Sequence, residues 1–133
     1  MIKHFALTLI ASLCCAAAQA QAQSPAPSPF PTDFPVGAQT PDAKALAERL
    51  GGQVFTVKTA NGLGWRLDIK TSGHIFVDIS NGARDNGPWR TEDGKICVEY
   101  RGRLPSGCNE VRLLSAHLLP QTRAGEIVTL VPQ

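Results

Sequence analysis

Two of the three histidines in the 133-residue chain have neighbours with which they could do acid–base chemistry. His74 and Asp78 could form a dyad, in which the carboxylate orients the imidazole and the imidazole moves a proton. They lie four residues apart on one predicted strand, however, which separates them by about 13 Å and puts them beyond hydrogen-bond reach. Asp68 lies diagonal to His74 on the neighbouring predicted strand and is a weaker partner. We predict a solvated face with cross-strand ion pairs here.

Ser115 and His117 are the second pair of residue types that could do chemistry, with serine as nucleophile and histidine as base. No nucleophile elbow or oxyanion loop accompanies them. The chain also has no Gly-rich phosphate loop, no His-Glu-x-x-His segment and no calcium loop. We therefore assign no catalytic residue, cofactor or metal, and a small enzyme that uses His74 or His117 is kept as an alternative.

The first 22 residues have the layout of a secretory signal peptide. Lys3 precedes an apolar run, which ends in small-residue sites that allow cleavage after Ala20 or Ala22. The run is shorter than the roughly 20 residues that cross a bilayer, and no later apolar stretch replaces it. We predict a signal peptide over residues 1–22, no integral membrane segment after its cleavage, and a periplasmic or secreted protein.

Two of the four cysteines lie in the predicted signal peptide, which leaves Cys97 and Cys108. In an oxidising compartment two such cysteines form a disulfide. A zinc site would need two more ligands, and His74 and His117 are the only histidines left to supply them. We predict one disulfide, on the outer face or at a rim, because both cysteines are out of phase with the neighbouring apolar positions.

Residues 23–40 are rich in proline, alanine, glutamine and serine, a composition typical of an extended tether. A proline-rich recognition segment over residues 25–29 is the alternative. Phe30 and Phe34 are unusual for a spacer, because aromatic side chains gain free energy when they pack on a folded domain. We predict a tether whose aromatic residues could lie back on the domain.

Residues 40–51 carry the start and stop signals of a helix in the right order. Thr40 offers a hydroxyl cap, and Pro41 suits the first helical position. Asp42 places an acid in the first turn, and Gly51 follows the last turn. The apolar residues between them form one stripe that must lie on another element. We predict a helix that covers the domain that follows it.

From residue 53 onward apolar residues alternate with polar ones, and Asn-Gly, Ser-Gly and Asp-Gly turn signals separate the alternating segments. Three-residue loops end in Gly62 and Gly73, the position that prefers a left-handed backbone. A two-residue loop at either place would move every pair to the wrong face. The predicted facing pairs are Phe55–Leu67, Val57–Trp65, Trp65–Ile79, Leu67–Val77 and Ile69–Ile75.

The turn at Asp93-Gly94 has two residues, and it continues the apolar face by placing Trp89 opposite Val98. The last strands are predicted over residues 109–114 and 126–131. So small a chain must cover its one apolar sheet face by closing the sheet or by adding the helix. We predict a mainly β domain over residues 41–133, a small antiparallel meander or half-barrel with one N-terminal α-helix and one disulfide.

Residues 81–87 are polar and lie between predicted strands, which predicts a loop, and loops held by a rigid sheet often carry function. Arginines outnumber lysines in this half of the chain, and arginine favours interfaces and the recognition of carboxylates or phosphates. The alternative is an ordinary solvated surface in which interleaved acids pair with the arginines. The candidate binding surface comprises Arg84, Asp85, Asn86, Arg90, Arg101 and Arg103.

Gly87, Trp89, the Asp93-Gly94 turn and the two later cysteines follow a pattern of Gly-x-Trp, Asp-Gly, Cys and Gly-Cys. In this pattern the chain resembles small exported proteobacterial β-domains of unknown function, over residues 50–115 at most. The resemblance implies an exported sheet with the tryptophan in the core and the cysteines bridged. It implies no activity and no site residues.

A formal net charge of +2 is too small for a nucleic-acid-binding surface, so we expect no nucleic acid partner. The leading hypothesis is an exported, non-enzymatic binding module, inhibitor-like or envelope-associated, with a protein partner in the cell envelope. One alternative is a carrier of apolar ligands, which would need a cavity lined by Phe55, Trp65 and Trp89. The other is a small periplasmic enzyme that uses a histidine.

Overall fold

The computed structural model describes residues 30–133 of the chain. The predicted signal peptide and residues 23–29 of the predicted tether lie outside the described residues. One helix, α1 (Ala43–Leu50), precedes the strands, so the prediction of a mainly β fold with one N-terminal helix is confirmed. The strands of residues 30–133 are β1 (Gln53–Lys58), β2 (Gly64–Ile69), β3 (His74–Ile79), β4 (Arg84–Glu92), β5 (Lys95–Val98), β6 (Gly107–Leu114), β7 (His117–Pro120) and β8 (Val131–Pro132).

All the strands pair antiparallel in one sheet with the order β7-β6-β5-β4-β3-β2-β1-β8. After β7 the chain turns back along that strand, where the Leu130 amide donates to the Leu118 carbonyl at 3.0 Å. It then pairs with β1, where Val131 faces Thr56. The returning segment thus joins the two ends of the sheet, which forms a nearly closed barrel. The predicted last strand over residues 126–131 is shifted, because β8 covers only Val131–Pro132.

The registers predicted from the alternating pattern are confirmed. Gly62 and Gly73 have φ values of 83° and 90°, the left-handed backbone that a three-residue hairpin loop needs at its last position. The apolar set of each strand therefore points to the barrel interior. The pairs found are Phe55–Leu67, Val57–Trp65, Trp65–Ile79, Leu67–Val77, Ile69–Ile75 and Trp89–Val98.

The prediction of a polar loop over residues 81–87 is wrong, because strand β4 already begins at Arg84. The first half of β4 pairs with β3, and its second half pairs with β5. The inward positions of the first half are occupied by Asp85 and Gly87, so the sequence shows no apolar alternation there. A Cβ atom on Gly87 would lie 2.0 Å from the Glu99 carbonyl oxygen, which requires glycine at this position.

Helix α1 begins later than its signals predicted, because Asp42 and not Thr40 is the N-cap. The Asp42 carboxylate accepts a hydrogen bond from the Ala45 amide at 2.7 Å, and the Asp93 carboxylate accepts one from the Ala43 amide at 2.9 Å. Two carboxylates therefore satisfy two of the free amides of the first turn. The predicted apolar stripe lies on the barrel.

Residues 30–42 lie along the sheet. Gln39 and Leu113 exchange two backbone hydrogen bonds of 2.8 Å. The Ile127 amide donates to the Pro31 carbonyl at 2.7 Å, and the guanidinium carbon of Arg112 lies 4.9 Å from the centre of the Phe34 ring. The described part of the predicted tether is thus held against the barrel. No helix in residues 30–133 is long and apolar enough to span a membrane.

The predicted disulfide is confirmed, since Cys97 on β5 and Cys108 on β6 face each other and their sulfur atoms are bonded. Cys97 also faces Arg90 on β4, and it alternates with the inward residues Ile96 and Val98. Cys97 is nevertheless only 4% exposed. The disulfide closes the loop that joins β5 to β6, at the end of the barrel away from α1.

Candidate functional site

The two ends of the barrel differ in how they are closed. At one end α1 lies across the opening, with Leu46 and Leu50 completely buried and the Thr91 hydroxyl donating to the Ala43 carbonyl at 2.6 Å. At the other end, where the turns β1–β2, β5–β6 and β7–β8 lie, no element of residues 30–133 covers the opening. A cavity of about 820 Å³ extends from this open end to Leu50.

The wall of the cavity is mainly apolar, because it is built from the inward positions of the strands. Leu104 and Tyr100 join this wall from the segment that follows β5. The apolar and aromatic wall residues are Leu50, Val57, Trp65, Leu67, Ile69, Ile75, Ile96, Val98, Tyr100, Leu104, Val111, Val128 and Leu130.

The rim of the cavity is polar, and several of its groups are already hydrogen-bonded. The Asn109 amide donates to the Gln121 carbonyl at 2.9 Å, and the Gln121 side chain donates to the Gly125 carbonyl at 3.0 Å. Thr59 and Asn61 bond each other at the β1–β2 turn. These bonds fix the shape of the entrance, so the cavity is formed without a ligand.

Two wall residues, Trp65 and Tyr100, carry a polar group, and that of Trp65 has no hydrogen-bond partner within residues 30–133. The polar group of Trp65 is its indole N–H, which is buried. That of Tyr100 is its hydroxyl. Burial, with a smaller contribution from the charge of Asp85, raises the pKa of Tyr100 to about 12, so its hydroxyl is neutral at physiological pH. The wall therefore carries two uncharged polar side chains, and three charged residues also border the cavity, namely Glu110, Arg123 and Glu126.

A second concave site lies beside the β3–β4 hairpin and has a volume of about 460 Å³. It brings together four residues of the predicted binding surface, and we call it the β3–β4 groove. Like the barrel cavity, it is open to solvent. Its lining residues are Phe76, Val77, Asp78, Arg84, Asp85, Asn86, Arg101 and Gly102.

Within this groove Asp85 is only 6% exposed, because it holds the following loop. Its carboxylate accepts hydrogen bonds of 2.8 Å from the amides of Gly102, Leu104 and Asn86. The bond from Leu104 contributes most to lowering the pKa of Asp85, against the opposing effect of burial. A Cβ atom on Gly102 would lie 2.8 Å from the carboxylate, so a side chain there would displace it.

The other two residues of the predicted binding surface lie apart from the groove. Arg90 forms an ion pair with Glu92, and the hydrogen bond from Arg90 is the main reason why the pKa of Glu92 is lowered. Arg103 is exposed but does not line the groove. The binding surface predicted from the sequence did not include Phe76. The available signal was that Phe76 is an apolar residue at an outward strand position, where its neighbours are polar.

His74 has an amide partner in place of the carboxylate that a catalytic dyad would need. His74 Nε2 lies 2.9 Å from the Asn86 side-chain oxygen, and no carboxylate within residues 30–133 forms a hydrogen bond or ion pair with its ring. Asp68 and Asp78 instead pair with Lys70 and Arg84, each at 2.9 Å. This arrangement is the solvated face with ion pairs that the registers predicted.

Ser115 occupies the two-residue turn between β6 and β7, where its φ of 53° is left-handed. His117 is the first residue of β7, is exposed and faces Leu114. The serine therefore serves the turn, and the described residues hold no base and nucleophile in contact at this place.

Within residues 30–133 only one group brings three side chains of metal-binding types close together, namely Glu92 with Cys97 and Cys108. Both sulfurs belong to the disulfide, so neither is available as the thiolate that a metal site requires. Glu92 is also paired with Arg90. These residues do not fit a metal centre.

Of the three residues expected to line a ligand cavity, only Trp65 does so. Phe55 is buried in the core, and Trp89 packs near Gly51 with its indole N–H donating to the Lys70 carbonyl at 2.9 Å. Comparisons of the chain with known protein families, with curated protein sequences and with solved structures found no match. The function must therefore be argued from the cavity and the groove themselves.

Proposed function

We propose that the protein binds a small, mainly apolar ligand in the cavity at the open end of the barrel. The observation that carries this proposal is the cavity of about 820 Å³ itself, which is lined by the inward side chains of the strands. Cavities of about 300–1,000 Å³ with mainly apolar walls are typical of sites for small organic ligands. Eight-stranded barrels of this width can hold one such molecule.

The chemistry of the wall favours an uncharged ligand. An ionised group among the inward apolar side chains would lose its hydration. The charged residues that border the cavity are not at those positions, since Glu110 alternates with the inward Val111 and Arg123 and Glu126 lie between β7 and β8. Tyr100 brings one neutral hydroxyl to the wall, which suits a ligand with an oxygen atom. Binding would need no covalent step, so the proposal is a carrier or a sensor and not an enzyme.

We further propose that the chain is exported, as the signal-peptide pattern and the disulfide support. In the periplasm or outside the cell, apolar molecules need a protein to move through water. Fractionation of cells that express the full chain tests this: the mature protein should leave the cytoplasm. Recovery of full-length protein from the cytoplasm, with thiols that react with an alkylating reagent, would contradict it.

The ligand proposal is tested with the neutral fluorescent probe N-phenyl-1-naphthylamine, titrated into the purified protein. We expect saturable binding in the wild type. Replacing Val98→Phe fills the cavity from its wall, and it should weaken binding at least tenfold. The matched control is Val131→Phe, the same change at a position that is 52% exposed, which should leave binding unchanged.

A wild-type protein that binds no neutral apolar probe would overturn the proposal. Equal binding by Val98→Phe and Val131→Phe would also overturn it, because the probe would then sit outside the cavity. Circular dichroism of both variants shows whether the barrel is intact. If Val98→Phe does not fold, Val111→Leu adds a smaller volume to the same wall and serves as the second variant.

A further inference from the structure

We propose that the β3–β4 groove is a docking site for an acidic segment of a partner protein, in which a carboxylate next to an apolar side chain meets Arg101 and Phe76. The groove lies beside the β3–β4 hairpin, and its residues are not those of the cavity wall. This inference is therefore independent of the ligand proposed for the barrel.

Phe76 is the first observation that points to a partner. It is 44% exposed and is the one aromatic residue among the exposed large apolar side chains of residues 30–133. It lies on a face whose neighbouring positions carry Asp68 and Asp78. Aromatic side chains that are exposed in a concave place are typical of the central contacts of protein interfaces.

The ring of Phe76 is held in position before any partner binds. Its centre lies 4.9 Å from that of the His74 ring, with the planes tilted by 55°. His74 is itself fixed by its hydrogen bond to Asn86, which lines the groove. A contact residue that is already ordered loses little entropy on binding.

The charges of the groove favour a carboxylate. Asp78 is compensated by Arg84 at 2.9 Å and Arg66 at 4.0 Å, and Asp85 by three backbone amides. Arg101 forms no ion pair within residues 30–133, whereas its backbone amide is tied to the Asn86 carbonyl at 2.9 Å. One guanidinium on an anchored backbone is therefore free to bind a carboxylate with two parallel hydrogen bonds.

The shape and the overall charge favour a protein segment over other anions. The groove is open, so it can accept one part of a longer chain that continues on both sides. A net charge of +2 supplies too few cations for the counterion release that drives nucleic-acid binding. An extended peptide that places an acidic and an apolar side chain side by side meets both Arg101 and Phe76.

The test is an NMR titration of the isotope-labelled protein with the peptide acetyl-Leu-Glu-Leu-Asp-Leu-amide. A second peptide, in which glutamine and asparagine replace the acids, is the control ligand. We expect the acidic peptide to shift the resonances of Phe76, Arg101 and Asn86, and to bind about tenfold more tightly than the neutral one. Arg101→Gln should weaken binding about tenfold, and Phe76→Ala should do the same.

Arg103→Gln is the matched protein control, since Arg103 is an exposed arginine two residues away that does not line the groove. It should bind the acidic peptide as the wild type does. If Phe76→Ala does not fold, Phe76→Leu keeps an apolar side chain and should show a smaller loss. Equal binding of both peptides, equal losses from Arg101→Gln and Arg103→Gln, or tighter binding of a single-stranded oligonucleotide than of the acidic peptide would overturn the inference.

Discussion

The two tryptophans lie toward opposite ends of the barrel, and their surroundings differ. Trp89 packs near the end of α1, and its indole N–H donates to the Lys70 carbonyl. Trp65 lies on the cavity wall, and its indole N–H has no partner within residues 30–133. The Trp89 ring fills space between α1 and the sheet, whereas the Trp65 ring borders the barrel cavity.

The two ends are consequently stabilised by different forces. The helix end is held by apolar packing, because Leu46, Leu50 and Ile69 are completely buried there. Core residues near the open end, such as Val57 and Ile79, are each 7% exposed, and the β5–β6 loop there is held by the Cys97–Cys108 bond at its base and by Asp85 farther along. This division lets one end supply stability while the other keeps a cavity.

Trp89→Ala should be the most damaging change, because it leaves a void between α1 and the sheet. We expect the free energy of unfolding to fall by about 3–5 kcal/mol, measured by urea denaturation. The ring also loses its hydrogen bond to Lys70. A nearly neutral result would contradict the view that the helix end carries the stability, and it would make Trp89 a surface residue available for binding.

The two tryptophans also show what could be predicted from the sequence. The register that places Trp65 opposite Ile79 follows from an alternating pattern and a loop glycine, which are local features. The volume in front of Trp65 depends on how far apart the walls of the closed barrel lie, and no pattern of residues encodes that distance. The expectation that Phe55 and Trp89 line a cavity was wrong for this reason.

Asp85 illustrates a second limit. Its amide partners at Gly102 and Leu104 lie 17 and 19 residues farther along the chain, so its role depends on a contact that only the folded barrel creates. Because Asp85 is polar and lies at an inward position, the first half of β4 shows no apolar alternation, and the sequence did not predict a strand there. The observed N-cap of α1, Asp42, also differs from the predicted one, Thr40. Both residue types are good caps, and only the backbone geometry decides between them.

Removing the disulfide should have the second largest effect. With Cys97→Ala and Cys108→Ala together, we expect a loss of about 2–3 kcal/mol in the free energy of unfolding, because the unfolded chain gains the freedom of an open loop. The loss should be accompanied by faster proteolysis within residues 99–107. If cleavage instead begins near α1, the open end does not depend on this bond.

Asp85→Asn should have a more local effect, confined to the loop. Because the pKa of Asp85 is lowered in the fold, the carboxylate stabilises the protein above the ordinary carboxyl pKa of about 3.9, and this contribution disappears as the pH falls through the lowered value. The protection of the Gly102 and Leu104 amides from hydrogen exchange, taken relative to the unfolded-chain rate at the same pH, should therefore be high at pH 5 and fall in stronger acid. In the variant this protection should be low at both pH values, while that of the α1 amides remains unchanged.

Trp65→Phe should have the smallest effect on stability and still discriminate between the two ends. It removes an indole N–H that has no partner in the described part of the chain, so the free energy of unfolding should change by less than about 1 kcal/mol. Trp89→Phe, which removes a bonded N–H, should lower the free energy of unfolding by more and is the matched control.

The same two variants also report on the cavity, because each leaves one tryptophan. Emission from Trp65, measured in Trp89→Phe, should respond to a neutral apolar probe, and emission from Trp89, measured in Trp65→Phe, should not. A response from Trp89 alone would place the probe at the helix end and contradict the division between a packed end and a binding end.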